Sequence, residues 1–193
     1  MARQSFKSGA LLGPLPAVLV TVGNMEKSNV LTVAWCGILS THPARVYISV
    51  RPTRHSYNII KEKGEFVINL TPSRLVKEAD FCGIYTGKKV NKFEKCKLTK
   101  VKGSAVDCPM IEECPISIEC KVTDIIPLGS HDMFMADIVA INVDEELFDK
   151  EDKMHFEKAG LIAYAHGEYY ELGKKIGRFG FSTDKKKKKK VRK

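Results

Sequence analysis

Short runs rich in β-forming residues, joined by tight turns, constrain the fold of this chain most. Val, Ile and aromatic residues dominate these runs, and the connections at residues 23–24 and 41–43 are too short to hold a crossover helix. Helical periodicity interrupts the runs in a few places. The pattern predicts a mainly β fold, a closed or partly closed β-barrel with a few peripheral helices. The predicted strands are residues 17–22, 30–35, 45–50, 66–70, 116–126 and 133–143, and the predicted helices are residues 54–63, 73–82 and 91–95.

The formal net charge of +9 comes almost entirely from one terminal segment. Residues 185–193 carry eight Lys and Arg residues and no acidic residue, so residues 1–184 have a net charge of +1. A run of like charges repels itself and is typical of a disordered terminus. We therefore predict one domain over residues 1–184 and a basic disordered tail over residues 185–193. Neither a specific nucleic acid nor a membrane is the predicted partner, because no base-stacking or groove-reading motif accompanies the charge.

The six cysteines show no metal-binding spacing. They form no Cys-x-x-Cys pair and have no histidine beside them at ligand spacing, so no metal site is predicted. Small buried thiols in a reducing cytoplasm explain them better. The apolar stretch at residues 10–22 is interrupted by Gly13, Pro14 and Pro16, so it predicts neither a signal peptide nor a membrane span. We expect a cytoplasmic protein.

Two arginines and two hydroxyl residues lie within six positions at the start of the helix predicted at residues 54–63. Arg51 and Arg54 can each bind a phosphate through two N–H groups, and Thr53 and Ser56 can donate hydroxyl protons. A helix N-terminus also favours an anion. The segment therefore predicts a phosphate site, although a capped helix with surface arginines would show the same residues.

The strand predicted at residues 30–35 favours the phosphate interpretation. Thr32, Ala34 and Cys36 alternate with Val33 and Trp35, so one face of this strand carries small or polar groups. A planar ring can approach such a face closely. The two segments together indicate a phosphorylated cofactor that lies along a strand.

A set of motifs spread over residues 10–182 resembles those of one protein family. The set comprises residues 29–37, the Arg-x-Ser element of Arg54 and Ser56, and residues 66–70, 82–93 and 169–177. These motifs are similar to those of flavin reductase-like proteins, and of flavoredoxins in particular. The resemblance spans nearly the whole predicted domain, so it is more specific than any single motif.

The resemblance implies a split β-barrel with Greek-key topology, which forms a homodimer and binds one FMN per subunit near the interface. It also implies roles for individual residues. Asn29, Thr32, Ala34 and Trp35 would border the isoalloxazine ring and ribityl chain, Arg51, Thr53, Arg54 and Ser56 would hold the phosphate, Asn69 would face the cofactor, and Thr86, Gly87 and Lys92 would complete the site.

Some of these residues have equally simple structural explanations. Trp35 is also expected as a core or dimer aromatic, Asn69 as a partner of a buried backbone group, and Lys92 as a solvated charge. His131 follows Gly129 in a segment that resembles the Gly-x-His turn of related flavin reductases. It is the predicted contact for an electron donor or substrate, with an ordinary turn histidine as the alternative.

The predicted function is that of an FMN-dependent oxidoreductase. No catalytic side chain is predicted, because a bound flavin would carry the redox chemistry. Electrons would come from NADH or NADPH, or from a redox protein. The sequence has no Gly-x-Gly-x-x-Gly fingerprint, so a nicotinamide would dock only transiently. Two other functions stay open: a non-enzymatic FMN carrier, and a basic module that binds polyanions.

Overall fold

Strands dominate the computed structural model, which describes residues 3–183. The strands of this range are β1 (Leu15–Pro16), β2 (Val18–Gly23), β3 (Ser28–Val33), β4 (Cys36–Thr41), β5 (Ala44–Val50), β6 (Glu65–Leu70), β7 (Lys100–Val101), β8 (Met110–Ile111), β9 (Ile116–Pro127), β10 (Asp132–Val143), β11 (Ile162–Ala165) and β12 (Glu168–Glu171). The α-helices are α1 (His55–Lys63), α2 (Val76–Ile84) and α3 (Lys92–Lys95). Short 3₁₀ turns lie at Ser73–Leu75, Glu145–Leu147, Phe156–Ala159 and Phe181–Thr183.

An antiparallel seven-stranded sheet forms the barrel, in the order β3-β2-β6-β9-β10-β5-β4. The chain runs from β5 through α1 to β6, and β6 then pairs with β2 instead of β5. This return across the barrel is a Greek-key connection. A smaller sheet, in the order β1-β11-β12, packs beside the barrel. The fold is the mainly β split barrel that the sequence predicts.

The barrel is split between β3 and β4. These strands are consecutive in the sequence, yet they stand at opposite edges of the sheet, and no ladder joins them within residues 3–183. Ala34 and Trp35 form the connection, and the carbonyl of Trp35 accepts a hydrogen bond from the backbone N–H of Ser49 in β5 at 2.8 Å. The split therefore leaves an opening in the barrel wall at Ala34 and Trp35.

Strand β2 is buried on both faces. Val18, Val20 and Val22 point into the barrel, where they join the cluster that also contains side chains of α1. Leu19 points the other way, into a second cluster built from α2, α3 and β11. Burying one such side chain contributes about 2 kcal/mol. Both layers are therefore held against the same strand.

Helix α1 closes one end of the barrel. Its Tyr57 and Ile60 are buried in the barrel cluster, and its last turn carries Lys61 and Lys63, which suit the negative end of the helix dipole. The helix ends at Gly64, which has a φ of 68° and donates its N–H to the carbonyl of Ile60 at 2.8 Å. A left-handed residue at this position favours glycine.

A buried carboxylate holds the long segment between β7 and β8. Glu119 of β9 accepts the backbone N–H groups of Ser104, Ala105 and Val106 at 2.7–2.9 Å, and the side-chain amide of Asn142 at 2.7 Å. Burial raises the pKa of Glu119, but these hydrogen bonds outweigh burial and lower the pKa to about 2. The ionised side chain thus fastens this loop to the barrel.

All six predicted strands are present, with ends that shift by at most two residues. The strand expected at residues 30–35 ends at Val33, so the proposed alternation through Trp35 and Cys36 is wrong: Cys36 begins β4 and points into the barrel. Strands β1, β4, β7, β8, β11 and β12 were not predicted. The predicted basic tail at residues 185–193 lies outside the described residues. Among the helices of residues 3–183, none is long and apolar enough to cross a membrane.

Candidate functional site

A two-part cleft lies at the split in the barrel wall. The larger part has a volume of about 390 Å³ and the smaller part about 220 Å³. Leu31, Arg51 and Arg54 line both, so the two parts adjoin. We call the larger one the aromatic part, after Trp35, His131, Tyr164 and Tyr169 in its lining, and the smaller one the cationic part, after Arg51, Arg54 and Lys92. Ligand sites in proteins have volumes of about 300–1,000 Å³.

Four rings of the aromatic part form a row of neighbours, in the spatial order His131, Trp35, Tyr164 and Tyr169. The ring planes of Trp35 and His131 are parallel within 3°, with centroids 6.3 Å apart. Tyr164 lies 6.4 Å from Trp35, and Tyr169 lies 5.6 Å from Tyr164 edge to face. Ala34 supplies a small side chain beside them. Flat rings next to small side chains suit a planar ligand.

The cationic part is built around the start of helix α1. The helix has no side-chain cap and no acidic residue in its first turn, so its first N–H groups and its positive dipole end are available to an anion. Ser56 is buried, and its hydroxyl accepts a hydrogen bond from Asn29 at 2.7 Å. The Ser56 hydroxyl proton remains free to be donated to a ligand. Thr53 adds a second hydroxyl.

Lys92 is a buried cation without a counter-charge. Its side chain is 3% exposed, and its ammonium donates to the carbonyls of Val30 at 2.8 Å and Cys82 at 2.7 Å. No carboxylate within residues 3–183 lies within 4.0 Å of it. Burial lowers the pKa of Lys92 to about 8. An ammonium has three donors, so one remains for an anion in the cationic part.

Arg51 and Arg54, the other charged side chains that line the cationic part, are also positive. Arg54 donates to the carbonyl of Gly83 at 2.9 Å, which joins the start of α1 to the end of α2. Burial lowers the pKa of His55, and the charges of Lys88, Lys92 and Lys27 lower it further. The neutral form of His55 is therefore favoured. These cations create a positive potential that attracts an anionic group.

Gly87 allows the loop after α2 to close over the cationic part. A Cβ atom at this position would lie 2.2 Å from Oδ1 of Asn29 and 2.7 Å from Cδ2 of His55. Both neighbours line the cationic part, so a larger side chain would displace them. The loop backbone packs directly against them because residue 87 is glycine.

The cleft brings together most of the predicted site residues. Trp35 is 41% exposed, so it lines the cleft instead of filling a core. The Thr32 hydroxyl donates to the carbonyl of Ala79, so Thr32 also joins β3 to α2. The aromatic part contains Thr32, Ala34, Trp35, Arg51, Arg54 and His131, and the cationic part contains Asn29, Arg51, Thr53, Arg54, Ser56, Thr86, Gly87 and Lys92.

Two expectations need correction. Asn69 does not face the cleft: it is fully buried, its amide donates to the carbonyl of Leu19 at 3.0 Å, and its carbonyl oxygen accepts from the N–H of Ile111 at 3.0 Å and from Ser117 at 2.8 Å. Asn69 therefore acts as a partner of buried backbone groups, which is the structural alternative expected for it. For Lys92, the alternative of a solvated charge is wrong, because the side chain is buried.

Sequence reasoning missed several residues of the site. Tyr164 and Tyr169 belong to β11 and β12, more than 100 positions from Trp35. The motif at residues 169–177 contains Tyr169 and was a usable signal. Tyr164 has no such signal, since an aromatic residue in a short strand is typical of any core. Ser49 and Gly83 also line the aromatic part, and Tyr85 lines the cationic part.

Comparisons with known proteins show the family and the fold of this chain. Residues 13–173 match the model of the flavin reductase like domain. Flavoredoxin of Desulfovibrio vulgaris (Miyazaki F) has a similar structure, with a TM-score of 0.87 and 29% identity, over 95% of this chain and 100% of that one. An uncharacterised protein of Archaeoglobus fulgidus is 35% identical over 67% of this chain and 73% of its own length. An NADPH-flavin oxidoreductase of Streptomyces viridifaciens is 27% identical over 65% of each chain.

A seven-stranded barrel that is open between β3 and β4 places this chain among the split-barrel proteins. The chain belongs to the flavin reductase-like family, because the family model covers most of its length. This confirms the family that the motifs indicated and the fold class that the strand pattern predicted.

The unusual pKa of Lys92 makes stability depend on pH. In the unfolded chain a lysine has its ordinary pKa of 10.5, and in the fold the pKa is about 8. Between these two pKa values the unfolded chain therefore binds more protons than the folded chain. Burial of the charged ammonium lowers the free energy of unfolding most below pH 8, and this loss shrinks as the pH rises and the ammonium deprotonates. In ligand-free protein, we expect the free energy of unfolding to increase from pH 7.5 to 9.5 relative to Lys92→Met. Urea denaturation of both proteins measures this, and parallel pH profiles would contradict the assignment.

Proposed function

We propose that this protein is an FMN-binding oxidoreductase of the flavin reductase-like type, which passes electrons from NAD(P)H or a redox protein to an acceptor. The buried, unpaired ammonium of Lys92 in the cationic part, directly beside the aromatic part, carries the proposal. FMN combines a planar ring with a terminal phosphate, so it has one group for each part of the cleft. The names of the similar proteins, a flavoredoxin and an NADPH-flavin oxidoreductase, support the same class.

The residues of the cleft fit FMN in both charge and shape. Arg51, Arg54, Lys92 and Ser56 would hold the phosphate as charged or hydroxyl donors, and the start of α1 would add backbone N–H groups. Trp35 and the small residues around it would border the ring. A bound flavin would supply the redox chemistry. The protein would bind the flavin, orient it and shield it.

His131 is the proposed contact for the electron donor. Burial lowers its pKa, and the charges of Arg51 and Arg54 lower it further. The imidazole is therefore neutral near pH 7, and Nδ1 lies 2.9 Å from the Ser130 hydroxyl. A neutral ring parallel to Trp35 can contact a nicotinamide without repelling its positive form.

The phosphate assignment predicts the effect of removing Arg54. Arg54→Ala should weaken FMN binding about 10- to 100-fold, because a charge-assisted hydrogen bond is lost. Arg74→Ala is the matched control: Arg74 also donates to one backbone carbonyl, that of Glu113 at 2.6 Å, but it lies outside the cleft. Titration followed by flavin fluorescence measures both affinities. Ser56→Ala should act in the same direction as Arg54→Ala.

Riboflavin sharpens this test because it lacks the phosphate. Arg54→Ala should change riboflavin affinity far less than FMN affinity. Equal losses for both ligands would place Arg54 elsewhere than at the phosphate. Colourless protein with no affinity for either flavin would contradict the proposed function itself.

The absorbance of the bound flavin separates an enzyme from an electron carrier. With an enzyme, NADH or NADPH alone should bleach the yellow protein rapidly under anaerobic conditions. Reduction only by a ferredoxin-like protein would favour the non-enzymatic FMN carrier, which the likeness to flavoredoxin supports. Stopped-flow absorbance with each nicotinamide in turn decides between them and reveals which one is preferred.

We also propose that the protein is a homodimer. Large apolar side chains are exposed on β4 and β10, among them Ile38 at 67% and Ile141 at 57%. Such exposure is typical of an interaction surface.

Light scattering should give the mass of two chains, and Ile38→Asp should shift that mass toward one chain. Met25→Asp, at an exposed apolar residue in the turn between β2 and β3, is the control, because β3 and β4 stand at opposite edges of the sheet. A single-chain mass for the unchanged protein would contradict the proposal.

A further inference from the structure

Two thiols meet beside the cationic part of the cleft. Sγ of Cys82, near the end of α2, lies 3.9 Å from Sγ of Cys96, which directly follows α3. Both are free cysteines, fourteen positions apart. Cys82 is buried and Cys96 is partly exposed. A disulfide has an S–S distance of about 2.05 Å, so the sulfurs need to approach by roughly 2 Å to bond.

The backbone of this pair supports the cations of the cleft. The carbonyl of Cys82 accepts the ammonium of Lys92, and the carbonyl of the next residue, Gly83, accepts Arg54. The N–H of Cys96 donates to the carbonyl of Lys92 at 2.9 Å. A bond between the two sulfurs would therefore join the backbone segments that position Lys92 and Arg54.

We propose that Cys82 and Cys96 form a reversible disulfide that closes residues 83–95 into a loop over the cationic part of the cleft. That segment contains Gly83, Thr86, Gly87 and Lys92, all of which line the cleft. A closed loop has less freedom to open, so a phosphorylated ligand beneath it leaves more slowly. The effect on FMN rests on the proposed function, whereas the disulfide itself does not.

The oxidant is a peroxide, and the reaction starts at the more accessible sulfur. The Cys96 thiolate attacks one oxygen of the peroxide, which breaks the O–O bond and leaves Cys96 as a sulfenic acid. The Cys82 thiolate then attacks the Cys96 sulfur and releases hydroxide. Two thiols and one hydrogen peroxide thus give one disulfide and two waters, with two electrons passed to the peroxide. A dithiol reductant reverses the bond by thiol–disulfide exchange.

Burial makes this reaction slow at neutral pH. Burial raises the pKa of Cys82 to about 12 and also raises the pKa of Cys96. The carboxylate of Glu78 raises both pKa values further, and the ammonium of Lys92 opposes the rise at both thiols. The thiolate is the reactive form, so oxidation should accelerate as pH rises from 7 to 9.

The experiment treats the full chain with hydrogen peroxide and counts free thiols. We expect six reactive thiols in the denatured protein before treatment and four after it, with Cys82 and Cys96 joined in the peptide map. The melting temperature of flavin-free protein should rise by about 5 °C, because the bond restricts a loop of this length in the unfolded chain. FMN should dissociate several-fold more slowly, and dithiothreitol should reverse all three changes.

Two variants control for other thiols. The Cys96→Ser variant should have the same thiol count and the same melting temperature before and after peroxide treatment. Cys114→Ser removes a buried thiol with no cysteine beside it, so this variant should still form the Cys82–Cys96 bond.

Six thiols remaining in the treated chain, or a different pairing in the peptide map, would overturn the proposal. A Cys82–Cys96 bond that leaves FMN dissociation unchanged would overturn its role at the cleft, and a protein that forms the bond without binding FMN would refute the proposed function alone.

Discussion

The burial of strand β2 on both faces is the constraint on which the rest of the structure depends. One face completes the barrel interior, and the other supports α2, α3 and the small sheet that contains β11. Because a single strand belongs to both clusters, the helical layer has one position relative to the barrel. That position brings the end of α2 beside the start of α1, where Arg54 reaches Gly83. The cationic part of the cleft is a consequence of this packing.

Two cations of the cleft are held by backbone carbonyls, and within residues 3–183 no carboxylate forms an ion pair with either of them. Lys92 and Arg54 donate to carbonyls of β3 and α2, so both side chains keep their positive charge uncompensated. A carboxylate partner would neutralise that charge and compete with an anionic ligand. The cost is seen in the lowered pKa of Lys92. A bound phosphate would repay this cost, since it would supply the missing negative charge.

Local patterns account for the predictions that succeeded. The strands rich in Val and Ile were found because their side chains are buried on one or both faces, which leaves a clear signal in the sequence. β4 was not predicted because only one of its residues, Cys36, is buried and because it contains Gly37. Asn69 was misplaced because a polar residue within an apolar strand has two explanations, a ligand contact or a buried backbone partner, and they look alike in sequence. Its partners Leu19 and Ile111 come from distant parts of the chain.

The amino-acid sequence by itself determined the barrel class, the family and the dense group of hydrogen-bond donors at residues 51–56, because hydrophobic alternation, short motifs and neighbouring donors are local properties. Tertiary structure decided the rest. It placed Tyr164 and Tyr169 beside Trp35, turned Lys92 inward and brought the thiols of Cys82 and Cys96 to 3.9 Å. These arrangements depend on contacts between segments far apart in the chain, and local sequence patterns do not specify such contacts.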